Sequence, residues 1–236
     1  MMPPRWPKQM PVLTAQEQEI RAEFMKVWLK EYPQKYSLME EFNHRAIFQG
    51  HVLPKNCKTL EIGVGVGAHI RYENLQLQEY YALDVRADFV DQIKNEFPGV
   101  KPVWGDIQAG MDFPDHYFDR ILSVHVLEHL PDLPAALKEI KRLLKPSGFC
   151  EFVLPCEGSL AYSFARKISA QRLFKKHYPG VPYDIYIKSE HVNLYSEIIE
   201  ELNISGFYTQ RRVFFPFPVP LIFCNLAVGL KCTINR

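Results

Sequence analysis

The chain has 236 residues, 47% of them hydrophobic and 23% charged, with 28 Lys and Arg against 27 Asp and Glu. That composition excludes a disordered or fibrous protein, and a net charge of +1 excludes the global basic field that nonspecific nucleic-acid binding requires. Five cysteines without a CxxC pair argue against a disulfide framework or a cysteine-rich zinc module, so a reducing, cytoplasmic setting is expected.

In chain order, the first residues, MMPPRWPKQMPVL, hold four prolines and no apolar run of signal-peptide length. Thr14-Ala-Gln-Glu17 matches a capping box, and Ile20, Phe24, Val27 and Trp28 follow at helical spacing until Pro33, where the helix is expected to stop. A second helix is expected over Leu38–Phe48, ending at Gly50. From Lys58 short apolar runs alternate with amphipathic segments, the pattern of a parallel α/β sheet. The expected strands are Thr59–Ile62, Tyr80–Asp84, Pro102–Trp104, Phe118–Val124 and Phe149–Leu154, each apolar enough to be buried on both faces. Helices are expected at Ala87–Phe97 and Leu133–Leu144.

Residues 156–194 break this alternation. They are aromatic, basic and without regular periodicity, and are taken as an irregular insertion on the substrate side. Between Arg166 and Lys188 six basic residues face one acid, Asp184. A last helix is expected from Ser196, as N-cap, to Asn203, with Gly206 as terminator. Strands near Phe207–Phe214 and Leu226–Thr233 follow too closely for a crossover helix, so they form an antiparallel hairpin. Val213–Leu230 is 18 residues without a charge, but Pro216, Pro218 and Pro220 forbid a continuous helix, so no transmembrane span is expected.

The chemistry concentrates at the strand ends. Leu60-Glu-Ile-Gly63-Val-Gly65-Val-Gly67 joins the first strand to a short helical segment, where glycines permit a sharp turn and close approach of a ligand. The third glycine falls one residue early for the dinucleotide fingerprint, and the Lys-Ser/Thr of a P-loop is missing. Asp84 ends the second strand, where a carboxylate can accept both hydroxyls of a ribose; the plainer alternative is an N-cap for the helix at Ala87. Trp104-Gly-Asp106-Ile107 ends the third strand, where Asp106 could equally be a turn residue. His125-Val-Leu-Glu128-His129 follows the fourth. It spells the HxxEH zinc-peptidase pattern, but that site needs a helix, and here His125 continues a strand with Pro131 close behind.

In this order the motifs resemble the class I S-adenosylmethionine-dependent methyltransferases, in particular the broad small-molecule group that includes ubiquinone-biosynthesis enzymes. The resemblance covers residues 55–155 strongly and 189–233 more loosely. It implies a Rossmann-like sheet of seven strands with the last antiparallel, helices on both faces and an N-terminal helical extension. Residues 1–54 would be that extension and 55–236 the methyltransferase domain. Glu61, Gly63, Gly65 and Gly67 would line the methionine end of S-adenosylmethionine, Asp84 with Val85 the ribose side, and Asp106 with Ile107 the adenine.

His129, His125 and His191 are the candidates for a general base, since imidazole titrates near neutrality. The same histidines with Glu128 could hold a divalent ion. Some relatives, among them small-RNA 2′-O-methyltransferases, do so with Glu-x-x-Glu-His plus a distant His; His125 stands here in place of the first glutamate. The expected activity is O-methylation of a small, anionic acceptor such as a saccharide or an aromatic or quinone precursor, with a lipid-linked acceptor also open. Nucleic acid is not the expected partner, because the basic segment is short and carries no RNA-reading module. A noncatalytic cofactor-binding or partner module is the alternative.

Overall fold

The computed structural model describes residues 5–49 and 53–234. Its centre is a seven-stranded sheet: β1 Cys57–Ile62, β2 Gln78–Asp84, β3 Lys101–Trp104, β4 Phe118–Val124, β5 Leu144–Pro155, β6 Phe207–Phe215 and β7 Ala227–Ile234. The order is β3-β2-β1-β4-β5-β7-β6, with β7 antiparallel to both neighbours. The chain enters β6 from a helix and returns at once through the proline-rich loop, so β7 fills the gap beside β5. No described helix is long and apolar enough to cross a membrane.

The strands alternate in what they present. Leu60, Ile62, Leu83, Ile121 and Phe152 face a large apolar core closed by α4 (Leu133–Leu143) and α8 (Tyr195–Ile204). The opposite face is mixed. Tyr80 and Ala82 pack with Ile93 of α3 (Ala87–Glu96), while Arg120, buried in β4, donates to both oxygens of Glu73 at 2.9 Å and to Glu151 at 2.8 Å. Gln78 donates to Glu73, and His69 contacts the same carboxylate at 2.9 Å. Burial pushes His69 down to about 4, so it stays neutral there. Such an arginine can lie in a strand because each displaced water contact is replaced by a charged partner.

The edges correct several expectations. β3 is not buried on both faces: it is the outer strand, Lys101 and Trp104 are exposed, and Pro102 is tolerated because an edge strand need not donate on its free side. The first helix, α1 (Ala15–Lys35), has the expected reciprocal cap, with Thr14 N–H donating to Glu17 at 2.7 Å and Glu17 N–H to Thr14 Oγ1 at 3.3 Å. It runs past Pro33, which near a helix end forfeits a single backbone bond. The second, α2 (Ser37–Arg45), is shorter than expected, and Gly50 lies outside the described residues.

Residues 156–194 are not irregular. They form α5 (Leu160–Ile168), α6 (Ala170–His177) and α7 (Tyr183–Glu190), with Ser159 capping the first by accepting from Tyr162 N–H at 3.0 Å. The helices are too short for periodicity to stand out, and the apolar faces of α6 and α7 are completed by tertiary partners. Phe174, Tyr183 and Tyr186 pack with Ile20, Phe24 and Trp28 of α1. Leu194, not Ser196, precedes α8: its N–H is taken by Glu197 at 2.8 Å, and Gly206 closes the helix at φ +83°.

Candidate active site

The carboxyl ends of β1, β2 and β4 place most of the candidate residues along one edge of the sheet, the position where open α/β sheets bind ligands. After Ile62 the chain bends sharply. Gly63 and Val64 donate to the Leu83 carbonyl at 2.8 and 3.1 Å, and Gly63, Gly65 and Gly67 all take positive φ (+70°, +54° and +74°). A side chain at 63 would strike Val126, and one at 67 would strike Phe97 and Ile93, whereas a Cβ at 65 would meet nothing within 4 Å. Two of the glycines therefore serve packing, and Gly65 faces open space.

Asp84 holds this turn. It accepts from Gly65 N–H at 2.9 Å through one oxygen and from Arg86 N–H at 2.9 Å through the other. It is not the N-cap of α3; that position is Arg86. Each carboxylate oxygen keeps a second lone pair, so the loop contacts leave acceptor capacity for a ligand hydroxyl. Val85 is exposed beside it, its carbonyl accepting from Trp104 Nε1 at 3.0 Å. Asp106 caps a short 3₁₀ turn, accepting from Gln108 N–H at 2.9 Å, while Ile107 is buried in the main core.

Glu61 lies beneath the turn, buried, and accepts from Tyr80 OH at 2.8 Å. Burial pushes its carboxyl up to about 8, only partly offset by the Tyr80 hydrogen bond. A cleft of about 350 Å³ opens nearby between α1 and the turn, lined by Met25, Leu29, Val66, Arg86 and Phe89. The contribution of α1 was not legible in the sequence, where Ile20, Phe24, Val27 and Trp28 marked the helix and Met25 and Leu29 stood out in no pattern.

Beyond β4 the chain forms a second constellation. His125 takes φ +54°, uncommon for a residue with a side chain, and its Nδ1 contacts Glu128 at 3.2 Å. Leu127–His129 is a 3₁₀ turn, not the helix that an HxxEH zinc site requires, and the peptidase pattern fails on that ground. His129 Nδ1 lies 2.6 Å from the Glu190 carbonyl, which can only accept, so Nδ1 carries the proton and Nε2 keeps a lone pair. His191 repeats the arrangement, with Nδ1 2.8 Å from the Glu157 carboxylate. Burial pushes the His129 imidazole down despite the nearby Glu128, favouring the neutral ring.

Glu128 completes the group. Burial would raise its carboxyl, but the His125 hydrogen bond and the adjacent His129 outweigh it and hold it below the usual range. Its Oε2 is buried and has no hydrogen-bond partner among the described residues. Glu128, His129 and His191 each bring one ligand atom within 4.8 Å of the others. His125 is not part of this group; its Nδ1 contacts Glu128 Oε1 at 3.2 Å, and the four-residue set shrinks to three. Glu157, which orients His191 and accepts from Arg166 at 2.5 Å, was missed because nothing in its sequence surroundings marks it.

Residues 60–152 match a family described as a methyltransferase domain. The fold is shared with solved structures, among them an S-adenosylmethionine-dependent methyltransferase from Aquifex aeolicus: TM-score 0.58, 16% identity, 86% of this chain and 98% of that one covered. Residues 60–152 are thus similar to a methyltransferase domain, on a fold shared with S-adenosylmethionine-dependent methyltransferases. S-adenosylmethionine is the cofactor this domain implies. Among curated relatives, a probable phthiotriol/phenolphthiotriol dimycocerosates methyltransferase of Mycobacterium ulcerans is 29% identical, with 55% of this chain and 54% of that one covered. A malonyl-[acyl-carrier protein] O-methyltransferase of Yersinia pestis is 28% identical, with 64% and 55% covered. The chain spans about half the length of these relatives.

Proposed function

We propose that the protein transfers the methyl group of S-adenosylmethionine to an oxygen of a small acceptor, with the glycine turn and Asp84 holding the cofactor and His129 serving the acceptor. The observation that carries this reading is the pairing of two unlike sites on one sheet edge: a turn with an open face at Gly65, and an imidazole Nε2 lone pair fixed by the Glu190 carbonyl.

The cofactor supplies a methyl group already activated on a sulfonium, which leaves as a neutral thioether. The protein is left to align the acceptor and take up its proton. His129 is suited to that role because its ring is neutral, oriented and next to the Glu128 carboxylate, which would stabilise the imidazolium as it forms. Glu61 and Gly63 would border the methionine end, Asp84 and Val85 the ribose, and Asp106 the adenine; Ile107 would act from the core beneath. The six bases among residues 166–188 and the aromatic α5–α7 segment favour an anionic acceptor with an apolar body. A saccharide or an aromatic or quinone precursor fits that description, and the relatives named for dimycocerosate and acyl-carrier acceptors add lipid-linked ones.

Calorimetric titration tests the cofactor site first. The wild type should bind S-adenosylmethionine and its demethylated product; Asp84→Ala should not, and Asp84→Asn should bind weakly. Equal binding by Asp84→Ala removes these assignments, and binding without transfer in a broad acceptor screen leaves a noncatalytic module.

The orphaned Glu128 Oε2 favours a second reading of the same cluster, as ligands to a divalent ion. The Nδ1 contacts of His129 and His191 to a carbonyl and a carboxylate are the supports that metal-binding imidazoles commonly use. Elemental analysis of the purified protein, with and without Glu128→Ala, decides it: no metal in either sample removes the ion.

A further inference from the structure

Helix α5 has two faces with different chemistry. Its inner face supports the site: Tyr162 stacks on His191 with ring centres 6.4 Å apart, and Arg166 binds Glu157. Its outer face carries Leu160, Phe164 and Ile168 at i, i+4 and i+8, exposed by 79%, 64% and 54%. No packing need places three large apolar side chains in water along one helix stripe. Helix α5 lies against the 3₁₀ turn Ile222–Cys224 of the proline-rich loop, and there Phe217, Leu221 and Phe223 are exposed as well. Pro216, Pro218 and Pro220 keep the first part of that loop out of any helix or sheet, and of its apolar residues Ile222 turns onto the main core while Phe217, Leu221 and Phe223 stay exposed.

Cations adjoin this surface. Lys167 shares the exposed side of α5, and Arg172, Lys175 and Lys176 are exposed on α6. Lysine is depleted at the centre of protein–protein contacts, because desolvating an ammonium there is costly. Apolar side chains flanked by lysines are instead the arrangement by which a helix lies in a lipid interface, the hydrocarbon entering the acyl boundary and the ammonium groups meeting anionic headgroups.

We infer that the outer face of α5, with the proline-rich loop and the basic side of α6, docks the protein on an anionic membrane surface. The inner face of the same helix would then bring the Glu128–His129–His191 cluster close to the bilayer, where an acceptor with an apolar body would be met without leaving the lipid. Docking itself does not depend on the methyl-transfer reading.

Flotation of the full chain with vesicles tests the inference. Wild type should float with phosphatidylcholine vesicles containing about a quarter phosphatidylglycerol and not with pure phosphatidylcholine, and the bound fraction should fall as salt rises. Phe164→Ser/Ile168→Ser should lower partitioning at least about tenfold, and Lys175→Glu/Lys176→Glu should abolish the preference for anionic lipid. Cofactor titration and circular dichroism on both double variants should match wild type, separating docking from folding and from the cofactor site. The inference is overturned if wild type does not float at low salt, or if flotation survives Phe164→Ser/Ile168→Ser. It is equally overturned if light scattering shows a dimer in solution that Phe164→Ser/Ile168→Ser dissociates, since a second copy then covers the face. Wild type that floats but binds no S-adenosylmethionine leaves docking in place and removes the proposed activity.

Discussion

Adding one methyl group at successive glycines separates packing from ligand approach in the β1 turn. All three residues sit at positive φ, which costs an L-residue about 1–2 kcal/mol, lessened by about 0.4–1 kcal/mol because alanine loses less freedom on folding. Gly65→Ala carries only that strain, since its Cβ meets nothing, and should cost at most about 1.5 kcal/mol. At Gly67 the new Cβ would lie 2.6 Å from Phe97 and 2.8 Å from Ile93. At Gly63 it would lie 2.5 Å from Val126 Cγ2. Overpacking adds about 1–3 kcal/mol, so Gly63→Ala and Gly67→Ala should each lose about 2–4 kcal/mol. Urea unfolding measures these losses, and Val126→Ala supplies the internal control: in that background the cost of Gly63→Ala should fall by about 1–3 kcal/mol, leaving the strain. Calorimetry should show the reverse ranking for function, with the nearly stable Gly65→Ala binding S-adenosylmethionine at least about tenfold more weakly because its methyl occupies the open face. Gly65→Ala as destabilising as Gly67→Ala, or binding cofactor as wild type does, refutes this division of roles.

The buried Glu61 makes stability depend on pH. Its folded pKa, raised by burial to about 8 from 4.5, means that stability is greatest below pH 4.5 on this group's account and falls by roughly 1.4 kcal/mol per unit until the folded pKa is passed. Glu61→Gln should flatten urea midpoints between pH 5 and pH 8, and an unchanged slope would show that Glu61 is ionised in the fold. Arg120→Met should cost about 3–5 kcal/mol, because Glu73 and Glu151 lose the buried guanidinium that binds both; a loss below about 1 kcal/mol would place the carboxylates in water. Phe24→Ala removes an edge-to-face contact with Phe174 at 5.0 Å and should lower stability by about 1–3 kcal/mol while weakening cofactor binding through displacement of α1. Unchanged calorimetry beside lowered stability would detach α1 from the cleft.

The sequence by itself determined the local events. Glycine at 63, 65 and 67, the Thr14–Glu17 cap, the Gly206 terminator and the hairpin through three prolines each rest on backbone rules that act within a few residues, and each is present. Apolar runs likewise located the central strands, because a strand covered on both faces has little choice of side chain. The tertiary structure decided what depends on neighbours distant in sequence. β3 became an edge because no described strand pairs beyond it. Within residues 156–194, α6 and α7 have their apolar faces covered by α1, a contact across more than a hundred residues that no periodicity records. The candidate site divides in the same way. Asp84 and the glycine turn were legible as a motif, whereas the union of His129 with His191, the exclusion of His125 and the support from Glu157 and Glu190 follow from how the 3₁₀ turn after β4 meets α7. A hydrogen bond fixes a tautomer only once its acceptor is in place, and folding is what brings that acceptor there.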